Sequence, residues 1–92
     1  MKPLDLSASF RAAVRKYPKE TRGKIGRALQ WLERDFGHPH RHQGLGIRKL
    51  SASYFEVRAG LDIRLVFQNR PDSLLFVMVG NHDEVQTFLR GR

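Results

Sequence analysis

A chain of 92 residues has room for one domain with one core, and 40% hydrophobic and 10% aromatic residues exclude a disordered polymer. The absence of cysteine excludes a disulfide framework and a thiolate-bound zinc, and it fits a reducing, cytoplasmic setting. Seventeen Lys and Arg against nine Asp and Glu give a formal charge of +8 and a pI near 10.9, so the preferred partners are polyanions. Nucleic acid comes first among them; a ribosomal-type structural role and a basic surface awaiting an acidic protein share the same charge.

From the N-terminus, "MKPLDLSASFRAAVRK" interrupts its apolar residues with charge and does not read as a signal peptide. "PLDLS" fits a short strand. Ser7 or Ser9 is placed to cap a first helix through "FRAAVRKY", with Phe10, Ala13, Val14 and Tyr17 on one face. Pro18 suits the start of a second helix, "KETRGKIGRALQWLERDF", because its missing N–H costs nothing in a first turn. Ile25, Leu29, Leu32 and Phe36 recur there at helical spacing, and Lys19, Arg22, Arg27 and Arg34 fall mostly on the other side. Trp31 and Phe36 are expected in the core. Gly37 is placed to end the helix, and Pro39 follows.

The segment "HPHRH" sets His38, His40 and His42 at alternate positions. A metal site is not expected from it, since zinc takes four ligands and Arg41 adds positive charge to the loop. "GLGIRKL" lacks the spacing of either a dinucleotide fingerprint or a P-loop; it reads as a turn that delivers Arg48 and Lys49 as phosphate contacts.

Beyond that turn the period changes to two. "YFEVRAG" alternates Phe55, Val57 and Ala59 against Tyr54, Glu56 and Arg58, a half-buried strand. "IRLVFQ" is a second strand after the turn Gly60-Leu61-Asp62, and Asn69-Arg70-Pro71-Asp72 is a further turn. "SLLFVMVG" is apolar throughout and belongs inside the sheet; it is far too short to cross a bilayer. "NHDEVQTFLR" fits a short helix capped by Asn81, with Glu84 completing a capping box. These elements predict one α+β domain over residues 1–92: a helical hairpin packed on a small antiparallel sheet, closed by a short C-terminal helix.

A face of this sheet that gathers cations and proton donors suits cleavage of RNA without a metal or cofactor. That chemistry needs a base for the ribose 2′-hydroxyl, a cation for the pentavalent phosphate and an acid for the departing 5′-oxygen. Arg58 and Arg64 sit on strands joined by a tight turn and emerge with Glu56 on the solvent-facing side. The same three residues would equally make an exposed cross-strand salt-bridge group of little energetic consequence. His82 follows the inner strand at a sheet end, where it is either a proton-transfer group or a bystander to the Asn81 cap.

With Tyr54-Phe55-Glu56-Val57-Arg58, Ile63-Arg64-Leu65-Val66-Phe67 and Gly80-Asn81-His82 laid out, nearly the whole chain resembles the RelE/ParE superfamily of toxin–antitoxin toxins. The resemblance implies a metal-independent, ribosome-dependent mRNA endonuclease with His82 as acid, His40 or His42 as base and Arg58 with Arg64 at the scissile phosphate. Arg41, Arg48, Lys49, Lys24 and Arg27 would hold mRNA and 16S ribosomal RNA. It also implies a cognate acidic antitoxin as partner, and no membrane. Two departures are visible: Glu56 stands where RelE-type nucleases carry a lysine, and Phe88 gives no acid–base group where some branches have a tyrosine. Hence a gyrase inhibitor of the ParE type, or a non-toxic basic interaction module of the same fold, stands beside the nuclease reading.

Overall fold

The computed structural model describes residues 2–36 and 46–91. The expected Gly37 helix stop and the expected roles of His38, Arg41 and both candidate bases, His40 and His42, lie outside them.

Strand β1 (Leu4–Leu6) leads into helix α1 (Ala8–Arg15). Ser7 has extended backbone angles, and its side chain accepts a hydrogen bond from the Phe10 amide at 3.1 Å, satisfying an amide that a helix start leaves open. Helix α2 (Lys19–Asp35) begins after Pro18, whose carbonyl accepts from the Arg22 amide at 2.9 Å. The two-residue strand β2 (Arg48–Lys49) is followed by β3 (Tyr54–Arg58), β4 (Arg64–Asn69), β5 (Leu74–Gly80) and helix α3 (His82–Arg90).

The strands lie in the order β1-β5-β4-β3-β2. From β3 to β5 they are antiparallel, as the turn signals predict; β2 pairs antiparallel with β3 where a turn is expected, and β1 joins parallel to β5, which makes the sheet mixed. The Arg70 amide donates to the Ser73 carbonyl at 2.9 Å in the β4–β5 turn, and the Ala59 amide to Ile63 at 2.9 Å closes the β3–β4 turn.

Helices α1 and α2 cover one face. Phe10, Ile25, Ala28 and Leu32 meet Val57, Leu65, Phe67, Leu74, Phe76 and Val79 in one buried cluster. Phe67 is its hub, with ring centroids at 5.0 Å from Phe76, 5.6 Å from Phe36 and 5.7 Å from Phe55. Trp31 departs from expectation: it is 37% exposed, because it lies about 100° around α2 from Leu32, beside the Ile25, Leu32 and Phe36 stripe that the sheet buries.

Helix α3 lies on the other face. Val85 is fully buried, as is Val66, and Phe88 packs edge-on against Tyr54 at 5.5 Å. The apolar run of β5 serves both faces because the β4–β5 register shifts between Val66 and Phe67: Met78 pairs with Val66, whereas Phe76 pairs with Phe67. An extra residue at that point reverses the alternation, so Leu74 and Phe76 enter the hairpin core while Met78 and Gly80 turn to the α3 face.

Candidate nucleic-acid interface

The C-terminal end of β3, the start of β4 and the end of β5 meet in a single row: Arg58 pairs with Arg64, and Arg64 with Gly80. Neighbouring strands are about 4.8 Å apart, so the row spans roughly 10 Å. His82 follows Gly80 by two residues and is exposed in the first turn of α3. Its neighbour Asn81 is the cap: the Asn81 side chain accepts from the Glu84 amide at 2.8 Å, and the Glu84 carboxylate accepts from the Asn81 amide at 2.7 Å. The cap and the candidate reacting group are therefore adjacent but distinct residues, and capping leaves the imidazole unused.

Gly80 is required by packing. A Cβ there would come within 2.9 Å of both Cβ and Oε1 of Glu84 and 3.0 Å of the Met78 methyl, so only glycine lets α3 fold back this closely onto the sheet end. The Tyr17 phenol, at the end of the first helix, has a pKa raised above its usual value by burial and, secondarily, by the Glu84 carboxylate.

Glu56 corrects the sequence-based expectation of an exposed salt-bridge face. It is only 3% exposed, and its Oε2 lies 3.3 Å from a terminal guanidinium nitrogen of Arg64 and 3.6 Å from Nε of Arg48. Arg48 reaches it as its direct cross-strand partner on β2. The Arg64 side chain is itself 15% exposed, and its Nε is buried without a hydrogen-bond partner among the described residues. The carboxylate is held between Arg48 of the two-residue edge strand and Arg64 of β4, an arrangement that the alternation of β3 does not reveal.

Arg58 has no acidic partner within ion-pair distance among the described residues and is exposed. Its stem runs past Gly46, the residue with φ +70°, where an added Cβ would sit 3.2 Å from Cγ and Cδ of Arg58. Two like charges directly opposed across strands destabilise a sheet unless something answers them. Glu56 answers Arg64, and no carboxylate among the described residues answers Arg58.

Arg48 and Lys49 are exposed on β2. Lys24 and Arg27 are exposed on α2, away from the His82 end, yet they share a shallow cavity of about 310 Å³ with Arg58 and Trp31. Among the described residues no group of His, Asp and Glu is arranged to hold a metal ion, and no helix is long and apolar enough to cross a membrane.

A helical hairpin on one face of such a sheet, with a short helix closing the other, is the RelE-like toxin fold. The chain superposes on a chain of the RelB–RelE antitoxin–toxin complex from Methanococcus jannaschii with a TM-score of 0.71 at 15% identity, over 92% of this chain and 98% of that one. The archaeal RelE–RelB complex from Pyrococcus horikoshii gives 0.69 at 14% identity, over 87% and 93%. The YoeB dimer from Staphylococcus aureus gives 0.66 at 18% identity, over 88% and 97%. No protein-family model and no curated protein sequence matches the chain. At these identities the likeness is one of fold, and the roles of side chains rest on this chain's own geometry.

Proposed function

We propose that this chain is the cytoplasmic toxin of a toxin–antitoxin pair and that it cleaves mRNA on the ribosome without a metal ion. The observation that carries the reading is the unanswered Arg58, directly opposite Arg64 and in one row with Gly80, two residues before an exposed histidine. A phosphodiester seated there meets two guanidinium groups, whose planar forks match phosphate oxygens.

In the reaction the ribose 2′-oxygen forms a bond to phosphorus and its proton passes to a base, His40 or His42. The bond from phosphorus to the 5′-oxygen breaks, and that oxygen takes a proton from His82. The products are a 2′,3′-cyclic phosphate and a 5′-hydroxyl. Arg58 and Arg64 offset the charge that builds on the equatorial oxygens. Lys24, Arg27, Arg48 and Lys49 attract mRNA and ribosomal RNA in a sequence-independent manner.

The partner is an acidic antitoxin. Support comes from the charge of +8 and from an apolar groove of about 280 Å³ between α1 and α2. Phe10, Val14 and Ile25 line it, with Arg11, Arg15 and Arg22 also on its wall. Apolar anchors supply affinity in such a contact, and the surrounding charge speeds encounter.

Primer extension on translated message, from cells briefly expressing the wild type or His82→Ala, tests the nuclease. Codon-phased cuts that disappear in the variant are expected, with the variant's unfolding curve unchanged. Cleavage by His82→Ala at the wild-type level overturns the assignment. One observation favours a second reading, a ParE-type gyrase inhibitor: Glu56 already occupies Arg64 and stands where nucleases of this fold carry a cation. Growth arrest with DNA damage and intact message would establish that reading, and intact message with normal growth the non-toxic module.

A further inference from the structure

On α2, Lys24, Arg27, Ala28 and Trp31 stand at positions i, i+3, i+4 and i+7 and so form one stripe. This stripe and the end of β3, at Arg58 and Ala59, enclose the cavity of about 310 Å³. Its floor includes Ala28, which is buried, and Trp31 is one of the two large apolar residues exposed among those described. The other aromatic residue of the helix end, Phe36, packs against Phe55 and Phe67 instead. An indole left open beside three cations is what base stacking with phosphate contacts requires. Lys24 is only loosely engaged, 3.9 Å from Glu20, with both side chains largely in solvent.

We propose that this cavity is a nucleotide-binding subsite for single-stranded RNA, with a base stacked on Trp31 and the adjoining phosphates on Arg27, Lys24 and Arg58. Arg58 belongs both to this cavity and to the row with Arg64, so the subsite continues the track on which the scissile phosphate would lie. The proposal thus rests on the RNA reading above and extends it to a second point of contact on the opposite helical layer. A protein segment is the weaker occupant. The cavity offers one flat ring with two small alanine neighbours, whereas the apolar anchoring a peptide needs is found in the groove between α1 and α2.

Trp31 is the only tryptophan of the chain, so its fluorescence reports on this cavity alone. The probe is a 2′-O-methyl pentanucleotide, which binds as RNA does but offers no 2′-hydroxyl for attack; the control is an abasic oligomer with equal phosphates. Saturable quenching by the first and little by the second is expected. Replacing Lys24 and Arg27 by Gln should weaken binding and reduce the salt slope by about 0.7 per cation removed. Trp31→Ala, followed by anisotropy of a labelled oligonucleotide, should lose about 5- to 150-fold in affinity, the equivalent of one stacked base, and Trp31→Phe should recover most of it.

Equal quenching by the abasic oligomer would overturn the proposal, as would wild-type affinity in Trp31→Ala. Quenching by an acidic amphipathic peptide but not by the oligonucleotide would overturn it in favour of a protein contact. The outcome is separable from that of the nuclease test: His82→Ala retains Trp31 quenching whether or not it still cuts message.

Discussion

The two faces of the sheet are built from alternate residues of the same strands, yet they are held together by different physics. On the hairpin face, Val57, Leu65, Phe67, Phe76 and Leu74 are fully buried with Phe10, Ile25 and Leu32 in one apolar cluster. On the α3 face, only the middle is closed in that way, by Val66, Val85 and the Tyr54–Phe88 pair. Its far end holds a buried carboxylate, two arginines reaching for it, a third with no acidic partner among the described residues, and an exposed histidine. One face spends its residues on stability. The other tolerates like charges opposite one another and a buried Arg64 Nε without a hydrogen-bond partner among the described residues.

Substitutions on the two faces should separate accordingly. Phe67→Ala removes the hub of the aromatic cluster and should cost about 3–5 kcal/mol, a large share of the stability of so small a domain. Urea unfolding would show the midpoint fall or the transition vanish; a near-native midpoint would mean that the hairpin face is not the main source of stability. Glu56→Gln keeps the volume and one acceptor oxygen but withdraws the charge between Arg48 and Arg64, and should cost about 1–3 kcal/mol because the bond from Arg64 to a buried ionised acceptor is replaced by a neutral one. The same variant should bind single-stranded RNA more tightly, since both guanidinium groups are freed for phosphate; unchanged binding would show that Arg48 and Arg64 do not take part. Asn81→Ala removes one half of the capping box and should cost about 1 kcal/mol, with fraying of α3 visible in amide exchange. A loss of several kcal/mol there would mean that α3 holds the sheet end far more firmly than its exposed first turn indicates.

Much of this was legible in one dimension because local chemistry dictated it. Ser7 and Asn81 fix helix starts through side-chain hydrogen bonds to amides that a helix end leaves open, and Pro18 marks the start of α2 through its fixed φ without a side-chain cap. The alternation of Tyr54 to Arg58 fixes a strand and its two faces. Glu56 and Trp31 were not legible, because burial is decided by elements distant in sequence. Glu56 is covered where Arg48 of β2 and Arg64 of β4 converge on it; Trp31 is exposed because it lies about 100° around α2 from Leu32, off the stripe that the sheet buries. The Arg64 and Gly80 pairing was hidden for a third reason, since it depends on a register shift that no pattern of consecutive apolar residues announces.

The sequence by itself determined the charge of +8, the order of helices and strands apart from the two-residue β2, and the capping of α3, all of which depend on composition or on contacts within a few residues. Only the tertiary structure decided that β1 joins in parallel, that Glu56 is buried between two arginines, and that Arg58, Arg64 and Gly80 share one row. Those features rest on pairing between strands and on the packing of α3 across them, and a chain acquires them only when residues far apart in sequence exclude water together.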